Sequence, residues 1–169
     1  MSQTYNVLIL CTGNSARSIL AEALLNRDGA GRFRAFSAGS FPKGAVHPMA
    51  LQVLREAGLP IGDLRSKSWD EFALASAPEL DIVITVCDNA AGETCPFWPG
   101  KPLKAHWGID DPAAVEGAGQ HEAFLIAFRQ MERRISALLA IPMEGIEGSE
   151  LQARLHAIGE MNDAESHAA

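Results

Sequence analysis

Two hydrophobic periods alternate along this chain. The apolar run Val7-Leu8-Ile9-Leu10 predicts a buried strand over about Asn6–Leu10, and Ile19, Leu20, Ala23 and Leu24 recur at helical spacing from Ala16 to about Arg27. After a Gly29-Ala30-Gly31 turn, Arg32–Ser37 reads as a short second strand closed by Ala38-Gly39-Ser40. Pro48 opens a second helix carrying Leu51, Leu54 and Ala57, with Gly58 as its cap, and Trp69 to Leu74 reads as a short helical turn. Asp81–Val86, the most β-branched run, predicts a central strand buried on both faces, and a short strand follows at Leu103–His106. Phe124, Ala127, Phe128, Met131, Ile135 and Leu138 form one stripe of a long helix over about Gln120–Leu139, which is core packing, and Pro142 ends it.

Strands alternating with helices predict an α/β fold with a parallel sheet. Ligands in such folds sit beyond the carboxyl ends of the strands, where strand order reverses. The 169 residues make one domain over 1–142 and a C-terminal extension over 143–169, whose short helix is capped by Ser149 and runs through Ile158 before a frayed tail from Gly159. Apolar residues at 47% and charged residues at 21% give an ordinary globular profile, and a net charge of −7 with no polybasic run speaks against nucleic acid. The N-terminus has no charged leader and no apolar run long enough to span a membrane, so the expectation is a cytoplasmic protein without a membrane partner. Three cysteines without an export signal point to reactive thiols rather than a disulfide scaffold.

The chemistry concentrates in Cys11-Thr12-Gly13-Asn14-Ser15-Ala16-Arg17-Ser18, a thiol at a strand's carboxyl end leading into a helix. Amides converging at a helix N-terminus bind tetrahedral oxyanions, and an arginine adds a bidentate fork. The same positive field is expected to make Cys11 a thiolate near neutral pH. Asn14 is expected to brace the loop while Ser15 and Ser18 steady the thiolate, with helix capping as the alternative for all three. Cys87 and Cys95 lack the closely spaced pairs of a structural zinc site, and no metal is expected. Pro96-Phe97-Trp98-Pro99 either covers the site or simply packs.

The Cys-x5-Arg-Ser loop directly after the first strand resembles the low-molecular-weight protein tyrosine phosphatase superfamily, over roughly residues 5 to 140. The resemblance implies a four-stranded parallel sheet of order 2-1-3-4 flanked by helices on both faces, with Cys11 and Cys87 at adjacent strand ends. Within that superfamily the chain resembles the arsenate reductase branch, through a distal cysteine pair, His106-Trp107-Gly108 and Asp110-Asp111-Pro112. The phosphatase branch carries aromatic residues after its Asp-Pro, where this chain has Ala113-Ala114.

That branch implies a relay. Cys11 attacks arsenate held by the amides of residues 12–18 and by Arg17, and Asp111, preferred to Asp110 because it directly precedes the proline, is the general acid. Cys87 then attacks Cys11, and Cys95 resolves that bond to a Cys87–Cys95 disulfide. The implied reductant is thioredoxin, or glutathione with glutaredoxin, and no resident cofactor is expected. If 87–95 were helical its ends would stand about 12 Å apart, and a disulfide needs about 7 Å or less between Cα atoms; the segment therefore has to remodel, with Gly92 as the pivot. Many members carry a further cysteine where this chain has Ala16, and where some hold potassium through an acidic residue this chain has Lys67. The competing readings are a phosphatase for phosphate monoesters and a non-enzymatic oxyanion-binding regulatory module.

Overall fold

A computed structural model describes residues 4–87, 98 and 101–161. Its sheet has four strands, β1 (Tyr5–Leu10), β2 (Phe33–Ala38), β3 (Ile82–Thr85) and β4 (Leu103–His106), all parallel and in the order β2-β1-β3-β4. The two central strands are the ones with near-continuous apolar sequence. Val7 to Leu10 and Ile82 to Ile84 are at most 2% exposed, as expected of strands covered on both faces. The expected order of strands is therefore the observed one, and their limits differ from expectation by one residue at most ends.

Among the described residues four α-helices surround the sheet: α1 (Arg17–Asp28), α2 (Pro48–Glu56), α3 (Gln120–Leu139) and α4 (Gly148–Gly159). The α3 stripe is core, since Phe124, Ala127, Met131, Ile135 and Leu138 are all buried, and α1 and α2 pack against it. Trp69–Phe72 forms the anticipated short turn, as a 3₁₀ helix capped by the Ser68 hydroxyl. Gly58 closes α2 as expected: at φ +81° it follows the C-cap Ala57, its N–H donates to Arg55 O at 3.0 Å and Leu59 N donates to Leu54 O at 3.0 Å. Two expected boundaries need correction. In α4, Ser149 lies inside the helix and Glu147 is the N-cap, with no side-chain cap bond. Gly159 is the last helical residue and packs against the chain rather than fraying.

The C-terminal extension closes the sheet's β4 edge. The Gln152 side-chain amide accepts from Lys104 N at 3.3 Å and donates to Lys104 O, as a fifth strand's backbone would. Leu151, Leu155 and Ile158 bury their side chains beneath it. An exposed edge of unpaired amides invites pairing with other chains, and this helix covers it.

The site is built where strand order reverses, between β1 and β3. Leu10 pairs with Thr85, and Val86 N donates to Leu10 O at 2.9 Å, so the residues just beyond each strand stand side by side. Beside them runs the segment after β2, at a distance only glycine allows. A Cβ on Gly39 would lie 2.3 Å from Thr12 O and 2.6 Å from Cys11 O. Gly39→Ala is expected to destabilise the fold by about 1–3 kcal/mol, the usual size of overpacking, because backbone has to move; urea denaturation measures this.

Candidate active site

Residues 11–16 form a single turn of loop between β1 and α1. Its carbonyls are taken up by the segment that follows β2: Phe41 N donates to Thr12 O at 3.0 Å, Lys43 N to Gly13 O at 3.0 Å and His47 N to Ser15 O at 2.9 Å. The loop is thus pinned from its outer side. At its inner end, the N-cap of α1 is Ala16 and no side chain caps the helix, so the first-turn amides are open to a ligand. The capping alternative for Asn14, Ser15 and Ser18 fails for that reason.

Asn14 is the loop's brace. It holds φ +44°, a left-handed backbone that side chains other than glycine adopt only when held there. Its amide nitrogen donates to Ser18 Oγ at 2.8 Å and Ser37 Oγ at 3.0 Å, and its Oδ1 accepts Lys67 N at 2.9 Å. Ser37 in turn donates a short hydrogen bond to Glu22, and the buried Lys67 ammonium lies 3.9 Å from Glu22 Oε1 and 3.0 Å from Arg65 O. Burial pushes the Glu22 carboxyl up while Lys67 pulls it down; burial pushes Lys67 down while Glu22 pulls it up. An ammonium does stand under the loop at the position singled out in the sequence.

Above the loop is a cleft of about 220 Å³ lined by residues 11–17 with Phe41, Lys43, Cys87, Asp111 and Ala113. Arg17 Nη1 donates to Ile109 O at 3.1 Å, and its Nη2 lies 3.7 Å from Asp111 Oδ2. Its Nε is buried with no hydrogen-bond partner among the described residues. A buried donor without an acceptor is costly, and a bound oxyanion would satisfy it. Asp111 does two things at once. Its Oδ1 accepts Ala113 N at 3.0 Å, the ordinary turn contact, while Oδ2 faces Arg17. Asp110 lies outside this cleft.

Cys11 and Cys87 are both buried and both unbridged. The Cys87 sulfur accepts Thr12 N at 3.3 Å and lies 3.7 Å from Thr12 Oγ1. The surroundings of Cys11 oppose the expected thiolate. A hydrogen bond with the Cys87 side chain and then burial push the Cys11 thiol far up, and the opposing pull of Arg17 does not compensate. Ser18 is engaged with Asn14 in the brace.

Cys95 and the proposed 87–95 remodelling lie outside the described residues. Of Pro96-Phe97-Trp98-Pro99 only Trp98 is described, and it packs: it is buried, edge-on to Trp69 at 6.2 Å, with Lys104 Nζ 5.8 Å from its ring. Among the described residues no His, Cys, Asp and Glu group could hold a metal, and no helix is long and apolar enough to cross a membrane. Sequence reasoning missed Glu22, Ser37, Phe41, Lys43 and the Ile109 carbonyl. Lys43 lies over Gly13, where an added Cβ would meet its Cε at 3.2 Å. The nearest available signal was Gly39, which ends a strand predicted to flank β1.

An oxyanion loop between the first strand and first helix of a 2-1-3-4 parallel sheet defines a class of cysteine-dependent, phosphatase-like proteins. The chain belongs to the low molecular weight phosphotyrosine protein phosphatase family, whose profile matches residues 6–153. Its relatives include an arsenate reductase of Bacillus licheniformis, 38% identical over 116 residues that make up 69% of this chain and 80% of that one. Among solved structures it is similar to an arsenate reductase in its phosphate-binding state (TM-score 0.66, 28% identity, 80% of this chain and 97% of that one). It is also similar to a thioredoxin-dependent arsenate reductase of Corynebacterium glutamicum (TM-score 0.60, 27% identity, 82% of this chain and 61% of that one).

The Cys11–Cys87 contact makes a measurable prediction. Removing the acceptor in Cys87→Ala takes away the largest cause of the raised Cys11 value, so the pH midpoint for alkylation of Cys11 should fall. Alkylation by iodoacetamide, followed by mass spectrometry of the Cys11 peptide across pH, reads it. An unchanged midpoint would mean that burial alone holds the proton.

Proposed function

We propose that this chain reduces arsenate to arsenite, with Cys11 as nucleophile and Cys87 as the thiol that completes the two-electron transfer. The observation that carries the reading is the second sulfur inside the oxyanion cleft, held against Thr12 at 3.3 Å and in contact with Cys11. Hydrolysis of a phosphate ester has no use for it. The names of the relatives support the same reading.

In the proposed sequence the loop amides, Arg17 and its free Nε bind the arsenate oxygens. Cys11 sulfur bonds to arsenic as one oxygen departs as water. Any proton still on the Cys11 thiol leaves in that step, and Asp111, which lines the cleft, delivers a proton to the departing oxygen. Cys87 sulfur then bonds to Cys11 sulfur, the sulfur–arsenic bond breaks with its electron pair going to arsenic, and As(V) becomes As(III). Two thiols lose the two electrons that arsenic gains. The Thr12 N–H and hydroxyl stabilise charge on Cys87 as it attacks. Cys95 exchanges into the Cys11–Cys87 bond, and an external dithiol, thioredoxin or glutaredoxin with glutathione, reduces the Cys87–Cys95 bond that results.

One observation favours a second reading, hydrolysis of phosphate monoesters. Phe41, on the cleft wall, is 74% exposed and offers an aromatic surface to an aryl leaving group. The variants separate the two. Cys11→Ser is expected to lower both arsenate reduction and p-nitrophenyl phosphate hydrolysis by more than roughly a thousandfold, as loss of a covalent nucleophile does. Cys87→Ser and Cys95→Ser should stop multiple-turnover arsenate reduction, measured with thioredoxin and separately with glutathione and glutaredoxin, while sparing phosphatase activity. Mass spectrometry of Cys95→Ser after a single turnover should show a Cys11–Cys87 bond. Wild-type reduction rates in both distal variants would leave the phosphatase reading standing.

A further inference from the structure

The C-terminal helix touches the chain at the strand end that carries the arginine anchor and the acid. Trp107, the residue after β4, is 2% exposed and donates its indole N–H to Leu155 O of α4 at 3.0 Å. Its backbone N–H is bonded to Thr85 O at 2.7 Å, so the indole and the peptide are held from opposite sides, by α4 and by β3. At the end of α4, Gly159 lies directly on the preceding peptide. A Cβ there would stand 2.0 Å from His106 O and 3.1 Å from Trp107 Cδ1. Two residues beyond Trp107, the Ile109 carbonyl accepts Arg17 Nη1 at 3.1 Å, and two further on Asp111 faces Arg17 Nη2. The guanidinium is therefore held by the segment that follows β4, the strand that α4 covers.

We propose that α4 is a brace for the oxyanion site, with Trp107 and Gly159 as positioning residues that set the Ile109 carbonyl and, through it, the direction of Arg17. The inference rests on the reading of the cleft as an oxyanion site. It gives the extension beyond residue 142 a part in ligand binding as well as in covering the sheet edge. The glycine is required by contact: its φ is unremarkable, and only the approach of helix backbone to the His106 carbonyl excludes a side chain.

Calorimetric titration of the full-length reduced protein with inorganic phosphate tests it, at a temperature where circular dichroism shows every variant folded. Gly159→Ala, which drives α4 off the His106 peptide, and Trp107→Phe, which removes the indole N–H and keeps the ring, should each weaken phosphate binding. The expected loss is roughly tenfold, within the usual range of coupling between linked sites. Phe33→Leu is the stability control: Phe33 is buried at the amino end of β2, away from the site, and its variant should lose thermal stability and keep wild-type affinity. Wild-type affinity in both Gly159→Ala and Trp107→Phe, in a wild type that binds phosphate, would overturn the brace alone. A Phe33→Leu affinity loss equal to theirs would also overturn it, since general loosening would then explain everything. A wild type that binds no phosphate would overturn the oxyanion site and the brace with it.

Discussion

The parallel pairing of β1 with β3 is the constraint from which the site follows. Both strands are apolar over most of their length, with Val7 to Leu10 and Ile82 to Ile84 buried, so their place at the centre of the sheet is dictated by what each would expose at an edge. Once Leu10 pairs with Thr85, the chain after β1 and the chain after β3 leave the sheet at one point. Cys11 and Cys87, far apart in sequence, become neighbours through backbone hydrogen bonds alone. The register also fixes their relative height: Val86 N is tied to Leu10 O, and the next residues on each strand are the two thiols. A slip of register would turn one of them away from the cleft.

Holding a tight anion loop open requires polar groups in a buried place, and these have to satisfy one another. Asn14, Ser18, Ser37, Glu22 and Lys67 do so as a connected set under the loop. Burial opposes the charged form of Glu22 and of Lys67, and each supports the charge of the other. The loop's positive backbone angle at Asn14 is held by three hydrogen bonds from that one side chain, so the strain is outweighed locally.

How much of this could be read in advance divides along the range of the interactions involved. Strands, helices and their order follow from periodicity and turn residues, which are local, and they were legible to within a residue or two. That Cys11, Arg17 and Asp111 line one cleft was legible because they sit in short motifs. The errors are of another kind. Ser149 looks like a cap because the rule weighs residue type, whereas the helix begins one residue earlier, after Glu147. Gly159 looks like a fraying end because nothing in the sequence announces the His106 carbonyl beneath it. The same division runs through the surroundings of Cys11: helix amides and Arg17 are local and favour a thiolate, while Cys87, which pushes the thiol up, arrives only by tertiary pairing.

That neighbour also separates the two chemistries the fold could host. An oxyanion loop with cysteine and arginine stabilises a tetrahedral centre whether it holds phosphorus or arsenic, and loop geometry alone does not choose between them. The difference lies in what a second thiol meets after the first bond has formed. A thiolate attacking the sulfur of a cysteine–phosphate adduct would have to leave an electron pair on phosphorus, which phosphorus(V) does not accept from thiols. Arsenic(V) does, and becomes arsenite. On the proposed mechanism Cys87 is therefore silent toward phosphate and decisive toward arsenate, without any selectivity in binding. Its position, in contact with Cys11 and anchored on Thr12, spends part of the loop's hydrogen bonding on a group with no role in hydrolysis. That expenditure is the structural reason to read the site as reductive.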